Sequence, residues 1–67
     1  MMPPTASQIS DARQQAGLSQ QQAAALVHVD IRSWRRWELD ERAVNLAAWE
    51  LFLLRAGQHP TDALKTR

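Results

Sequence analysis

The sequence predicts an all-α fold, a compact bundle of four to five helices. Three observations lead there. No run sustains the alternation of apolar and polar residues that a half-buried strand requires. Apolar residues recur instead at the three- and four-residue spacing of amphipathic helices. Cap residues and glycines stand at the joints between these periodic runs.

The first helix is announced by Pro3 and Pro4, which fix an extended approach, since proline locks φ and disfavours helix in the residue before it. Thr5 and Gln8 then form a T-x-x-Q capping box. Ile9, Ala12, Arg13 and Ala16 follow at helical spacing, and Gly17 stops the helix in the C′ position. After the apolar link Leu18, Ser19 and Gln22 make a second capping box for a helix through Ala23, Ala24, Ala25 and Leu26 to Val27. Its alanines allow another helix to approach closely. His28 and Val29 break the run, and Asp30 caps the next helix by accepting the free N–H of Ser33. Two short helices joined by a turn of about three or four residues form a helix-turn-helix.

Asp40-Glu41-Arg42 reads as a polar loop, and Asn45 as the cap of a fourth helix from about Leu46 to Ala56. Gly57 ends it and Pro60 lies just beyond. Leu46, Trp49, Leu53 and Ala56 share one stripe, and Leu51, Phe52 and Leu54 widen it past a single face. A helix this apolar needs two partners, the domain core and, we expect, a second copy of the chain. Trp49, Phe52 and Leu53 are the candidate dimer-interface residues, although some of them must belong to the core. The expected organisation is an extended N-terminus (1–4), a helix-turn-helix domain (5–57) and a polar C-terminal tail (58–67), with one further helical turn starting at Thr61.

The stretch Asp30 to Leu39 is the most informative. On a helical wheel Trp34 and Trp37 fall within about 60° of each other and form an inner stripe. Arg32, Arg35, Arg36 and Leu39 fall on the other side, with Ser33 and Glu38 at the boundaries. The indoles must be buried in something small, and the arginines must face water or a polyanion.

Composition sets the outer limits. Sixty-seven residues make one domain, and a chain of this size buries only about 60% of its unfolded surface. There is no cysteine, so neither disulfides nor a thiolate zinc site can form, and the cytoplasm is the expected compartment. Met1-Met2-Pro3-Pro4 lacks the basic and apolar regions of a signal peptide. The longest apolar stretch, around Ala43 to Ala56, is too short for a bilayer and contains Glu50, so no membrane partner is expected. Net charge is only +1, low for a nucleic-acid binder. Arg32, Arg35, Arg36 and Arg42 share their stretch with Asp30, Glu38, Asp40 and Glu41. Only the segregation of arginines onto one face sustains an electrostatic argument.

Ala16-Gly17-Leu18-Ser19-Gln20, Ala23-Ala24, Val29 and Trp34-Arg35-Arg36-Trp37-Glu38 resemble the helix-turn-helix core of the Cro/CI/Xre repressor family over roughly Gln8 to Arg42. The run Trp49-Glu50-Leu51-Phe52-Leu53-Leu54 looks like small regulators of phages and mobile elements, some similar to anti-CRISPR-associated repressors. The resemblance implies a lambda-repressor-like fold and a homodimer that binds an inverted-repeat operator in double-stranded DNA and represses its own operon. It implies that Ile31, Arg32 and Arg36 reach base edges. Gln20, Ser33, Arg35 and Arg42 would contact the DNA backbone, Gln20 would also support the recognition helix, and Arg13 with Glu38 would form a buried pair linking the first and third helices. The chain departs from the family at His28 and Asp40, where glycine is usual, at Asp30, where serine or threonine is common, and at Trp34, which replaces a smaller aliphatic residue.

Other readings of the same residues are weaker. A guanidinium fork can pair with guanine O6 and N7, but exposed arginines also occur on merely solvated faces. Trp34 and Trp37 could stack on unpaired bases, yet they lie away from the arginines. His28 and His59 have no third ligand at metal spacing. No nucleophile–base set or paired carboxylates appear, so we expect no enzyme activity, cofactor, metal or small-molecule substrate. The alternative function is a protein-interaction module, antitoxin- or antirepressor-like, that uses the apolar helix 45–56.

Overall fold

A computed structural model of the chain describes residues 3–57. Residues 1–2 and the tail 58–67, with the turn expected from Thr61, lie outside the described residues. The described part is all-helical: α1 (Ala6–Gln15), α2 (Gln20–Leu26), α3 (Ile31–Glu38) and α4 (Leu46–Arg55). The described residues thus hold four helices rather than five, and none is long and apolar enough to cross a membrane.

Each helix begins where its cap residue stands. Thr5 accepts from the N–H of Gln8, whose side chain returns to the Thr5 N–H, at 3.1 and 2.9 Å. Ser19 and Gln22 repeat the exchange at 3.0 and 2.8 Å. Asn45 caps α4 through the N–H of Ala48. At α3 the expectation is corrected by one residue: Asp30 Oδ1 accepts from the N–H of Arg32 at 2.8 Å, and the N–H of Ser33 bonds the Asp30 carbonyl instead.

The ends of α1, α2 and α3 share one geometry. Gly17 has φ 73, His28 φ 61 and Asp40 φ 61, all left-handed. In each case the following residue donates back into the helix: Leu18 to the Arg13 carbonyl, Val29 to Ala24 and Glu41 to Arg36. This is the Schellman closure, which satisfies carbonyls that a helix end leaves open. Only the first uses glycine. The two non-glycine closures bracket α3, and histidine and aspartate are among the side chains that enter this region least unwillingly.

The core is the layer these closures fold together. Ile9, Ala23, Ala24, Val27, Trp34, Trp37, Val44, Trp49 and Phe52 are buried. The rings form a chain: Trp37 lies 5.5 Å from Trp34, Trp34 lies 5.0 Å from Phe52, and Phe52 stacks on Trp49 at 5.7 Å. These separations suit aromatic pairs, each contributing about 0.5–1.5 kcal/mol beyond area burial. Ala23 and Ala24 supply the room that the indoles of α3 need, and α3 packs most extensively against α2 and next against α1.

That chain of rings corrects the reading of α4. Phe52 is 0% exposed and Trp49 8%, so Phe52 has no surface for a partner to cover and Trp49 almost none. Both are core residues. Leu53 is half-buried, while Leu46, which shares a stripe with Trp49 and Leu53 in sequence, is 43% exposed.

Candidate nucleic-acid interface

The site is built on α3, and the position of α3 depends on one carboxylate. Glu38 receives Arg13 Nε at 2.6 Å and Trp34 Nε1 at 2.6 Å on Oε2. Its Oε1 receives Arg13 Nη2 at 3.2 Å and Gln20 Nε2 at 3.1 Å. A carboxylate offers about four acceptor sites, so these donors saturate it. The remaining terminal nitrogen of Arg13 donates to the Leu18 carbonyl at 2.9 Å. The Glu38 side chain is only 7% exposed and that of Arg13 16%. Helices α1, α2 and α3 therefore meet at a single shielded anion. Burial pushes the Glu38 carboxyl up, but hydrogen bonds from Arg13, Trp34 and Gln20, with the Arg13 charge, outweigh it and hold the group below its ordinary value.

The Arg13–Glu38 pair is thus formed as the resemblance implies, and the bond from Trp34 to Glu38 is an addition to it. Trp34 lies four residues before Glu38, a spacing that brings side chains together on a helix, so that bond had a readable signal. The resemblance gives Gln20 two roles, holding a phosphate and supporting the recognition helix. In the fold one of its amide N–H groups faces inward onto Glu38, and the other is left for solvent among the described residues.

With Trp34 and Trp37 buried, Arg32, Arg35 and Arg36 project outward as exposed side chains, together with Leu39, which is 64% exposed. Arg35 and Arg36 have no salt-bridge partner among the described residues. Arg32 is paired with Asp30 at 3.3 Å. The hydrogen bonds of Arg32 hold the Asp30 carboxyl below its usual range, and Asp30 in turn raises the guanidinium, so both stay charged.

The remaining predicted residues lie to the sides. Ile31 is half-buried and edges a shallow depression of about 240 Å³ with Gln21, Ala25 and Val29. Ser33 is half-buried and Arg42 exposed, and both line a groove of about 650 Å³ between α3 and the start of α4, floored by Val27, Trp37, Ala48 and Leu51. The structure therefore brings Arg32, Arg35 and Arg36 onto one face and sets Ser33 and Arg42 beside it. One contact had no sequence signal: Arg55 Nη1 donates to the Leu26 carbonyl at 3.0 Å and lies 3.1 Å from His28 Nε2, tying the end of α4 to the end of α2. No group of three or more His, Asp or Glu side chains among the described residues could hold a metal.

No protein-family model matches the chain, and no curated protein matches it.

Proposed function

We propose that the chain is a sequence-specific regulator of transcription that binds double-stranded DNA, acting as a homodimeric repressor of a small phage or mobile-element operon. In this reading it is a Cro/CI/Xre-type, lambda-repressor-like domain, with α2 and α3 as the helix-turn-helix and α3 in the major groove of an inverted repeat. The observation that carries it is the division of α3 into a face of two buried indoles and a face of three exposed arginines. A short helix pinned from behind, with cationic forks in front, suits insertion into a groove whose guanines present paired acceptors. Arg36 and Arg32 are assigned to base edges with Ile31, and Leu39 adds an apolar contact for a thymine methyl group. Arg35, Arg42, Ser33 and the second N–H of Gln20 are assigned to phosphates, which position the domain without reading sequence.

The test is a gel shift on the DNA upstream of the coding region, with Arg36→Ala beside the wild type. We expect the wild type to bind an inverted repeat and Arg36→Ala to lose that preference while its helical circular dichroism stays unchanged. If Arg36→Ala keeps full preference for the operator, the assignment is wrong.

The groove beside Ser33, with Leu46 exposed near it in sequence, favours one second reading, a module that binds protein through α4. Sedimentation separates the two. A clean dimer that shifts DNA supports the regulator, and a monomer indifferent to duplex supports the module.

A further inference from the structure

Asp30 does more than its position requires. As a cap it needs one oxygen for the N–H of Arg32, and serine or asparagine would serve as well. Of its additional features, the second oxygen is directed at the Arg32 side chain, and the negative charge acts mainly on Arg32 and more weakly on Arg36. Oδ1 also accepts from Nε at 3.3 Å, and Oδ2 accepts from Nη2 at 3.4 Å. The side chains are 77% and 52% exposed, and an ion pair this open contributes little to stability. Its effect must be sought in what it does to the arginine.

A guanidinium carries five N–H groups in a planar fork. The Nε–Nη2 side is occupied by Asp30. What remains is the end of the fork: both N–H groups of Nη1 and the outer one of Nη2. Two of these, one from each terminal nitrogen, are parallel and match the O6 and N7 acceptors of guanine. The neighbouring anion also cancels most of the long-range attraction between Arg32 and a phosphate. It leaves the short, directional hydrogen bonds to a neutral base edge.

Resting on the reading of α3 as a recognition helix, we propose that Asp30 is a specificity-determining residue. It holds the Arg32 guanidinium by one edge, presents the other to a guanine, and suppresses binding to DNA of the wrong sequence. Discrimination is a difference of affinities, and a repulsive element against the competitor serves it as well as an added contact.

The experiment is selection of bound sequences from a random duplex library, using the wild type, Arg32→Ala, Asp30→Ser and Asp30→Asn. Both Asp30 variants keep a good cap, and circular dichroism checks that they fold. Arg32→Ala identifies the base pair that Arg32 reads, as the position whose guanine preference vanishes. At that position we expect Asp30→Ser and Asp30→Asn to lose about tenfold in preference, with a much smaller change at positions read by Arg36, which Asp30 reaches only through its charge. Affinity for non-specific duplex should rise about threefold, as expected for removing one negative charge some 7 Å from a phosphate in water. The dependence of log affinity on log salt should steepen by about one. The ¹⁵Nε resonance of Arg32 should move in both variants as the pair is lost.

The inference is overturned if the Asp30 variants keep the guanine preference, if preference falls equally at every position, or if the Arg32 resonance does not move. A wild type that selects a motif in which Arg32→Ala changes no position sinks the inference and leaves the regulator intact. A wild type that selects no sequence at all removes both.

Discussion

Glu38 is the residue at which α1, α2 and α3 meet, and its sensitivity follows from the number of donors it satisfies. Replacing it by alanine would leave Arg13, Trp34 Nε1 and Gln20 without their acceptor in a nearly closed space. Breaking a buried pair by removing one partner costs about 3–5 kcal/mol, a large part of the ~5–15 kcal/mol that holds any small domain together. We expect Glu38→Ala to be largely unfolded in urea concentrations where the wild type is native, with Glu38→Gln between them. The pH dependence has a definite sign. The folded carboxyl lies below the ordinary value of 4.5, so its contribution is complete above that value and is lost as pH falls through the lower, folded one. Urea midpoints between pH 6 and pH 3 should therefore drop on acidification in the wild type and drop less in Glu38→Gln. Parallel curves for the two proteins would remove Glu38 as the source.

At the scale of the element, the helix ends show how strain is distributed. Gly17 occupies its left-handed position with nothing within 4 Å of where a Cβ would stand, so Gly17→Ala meets only the backbone penalty, about 1–2 kcal/mol. Asp40 already bears a penalty of this kind at φ 61. We expect Asp40→Gly to raise stability by about 0.5–1 kcal/mol, the relief of strain being partly offset by the greater freedom of glycine in the unfolded chain. His28→Gly should gain less, because it gives up the contact with Arg55. Thermal melts of the three variants check the order: Gly17→Ala below the wild type, His28→Gly between wild type and Asp40→Gly. If Asp40→Gly melts below the wild type, the side chain has a role the closure does not explain. These ends are legible in the sequence, because caps and stops are local chemistry. Thr5, Ser19, Asn45 and Gly17 each act within a few residues of themselves. The two-faced α3 was legible for the same reason. The division of α4 was not. Trp49, Phe52, Leu53 and Leu46 look alike in sequence, and only the approach of Trp34 to Phe52 at 5.0 Å decides which of them faces inward. The reach of Arg55 to Leu26, across 29 positions, is likewise invisible to local rules.

For the whole molecule, size argues for pairing if the proposed function is right. Helix α3 has eight residues, hence a length of about 12 Å at 1.5 Å per residue. That covers only three or four base pairs, too few to single out one operator among the many sites of a genome. Two copies whose recognition helices are spaced by about 34 Å, one turn of duplex, would double the sequence read. The surface that joins them must be found on side chains that the fold leaves open, and on α4 this points away from Phe52 and toward Leu46 and Leu53. A glutamate at Phe52 would bury an unpaired charge among Trp34 and Trp49, and the expected result is loss of the helical signal rather than dissociation. A glutamate at Leu46 or Leu53 should keep the helical signal, shift the sedimenting species from dimer to monomer, and weaken binding to an inverted repeat much more than to a single half-site. If both leucine variants remain dimers and bind the full operator like the wild type, the pairing surface lies elsewhere on the domain. If Phe52→Glu remains folded, the chain of rings is not what holds α4 against α3.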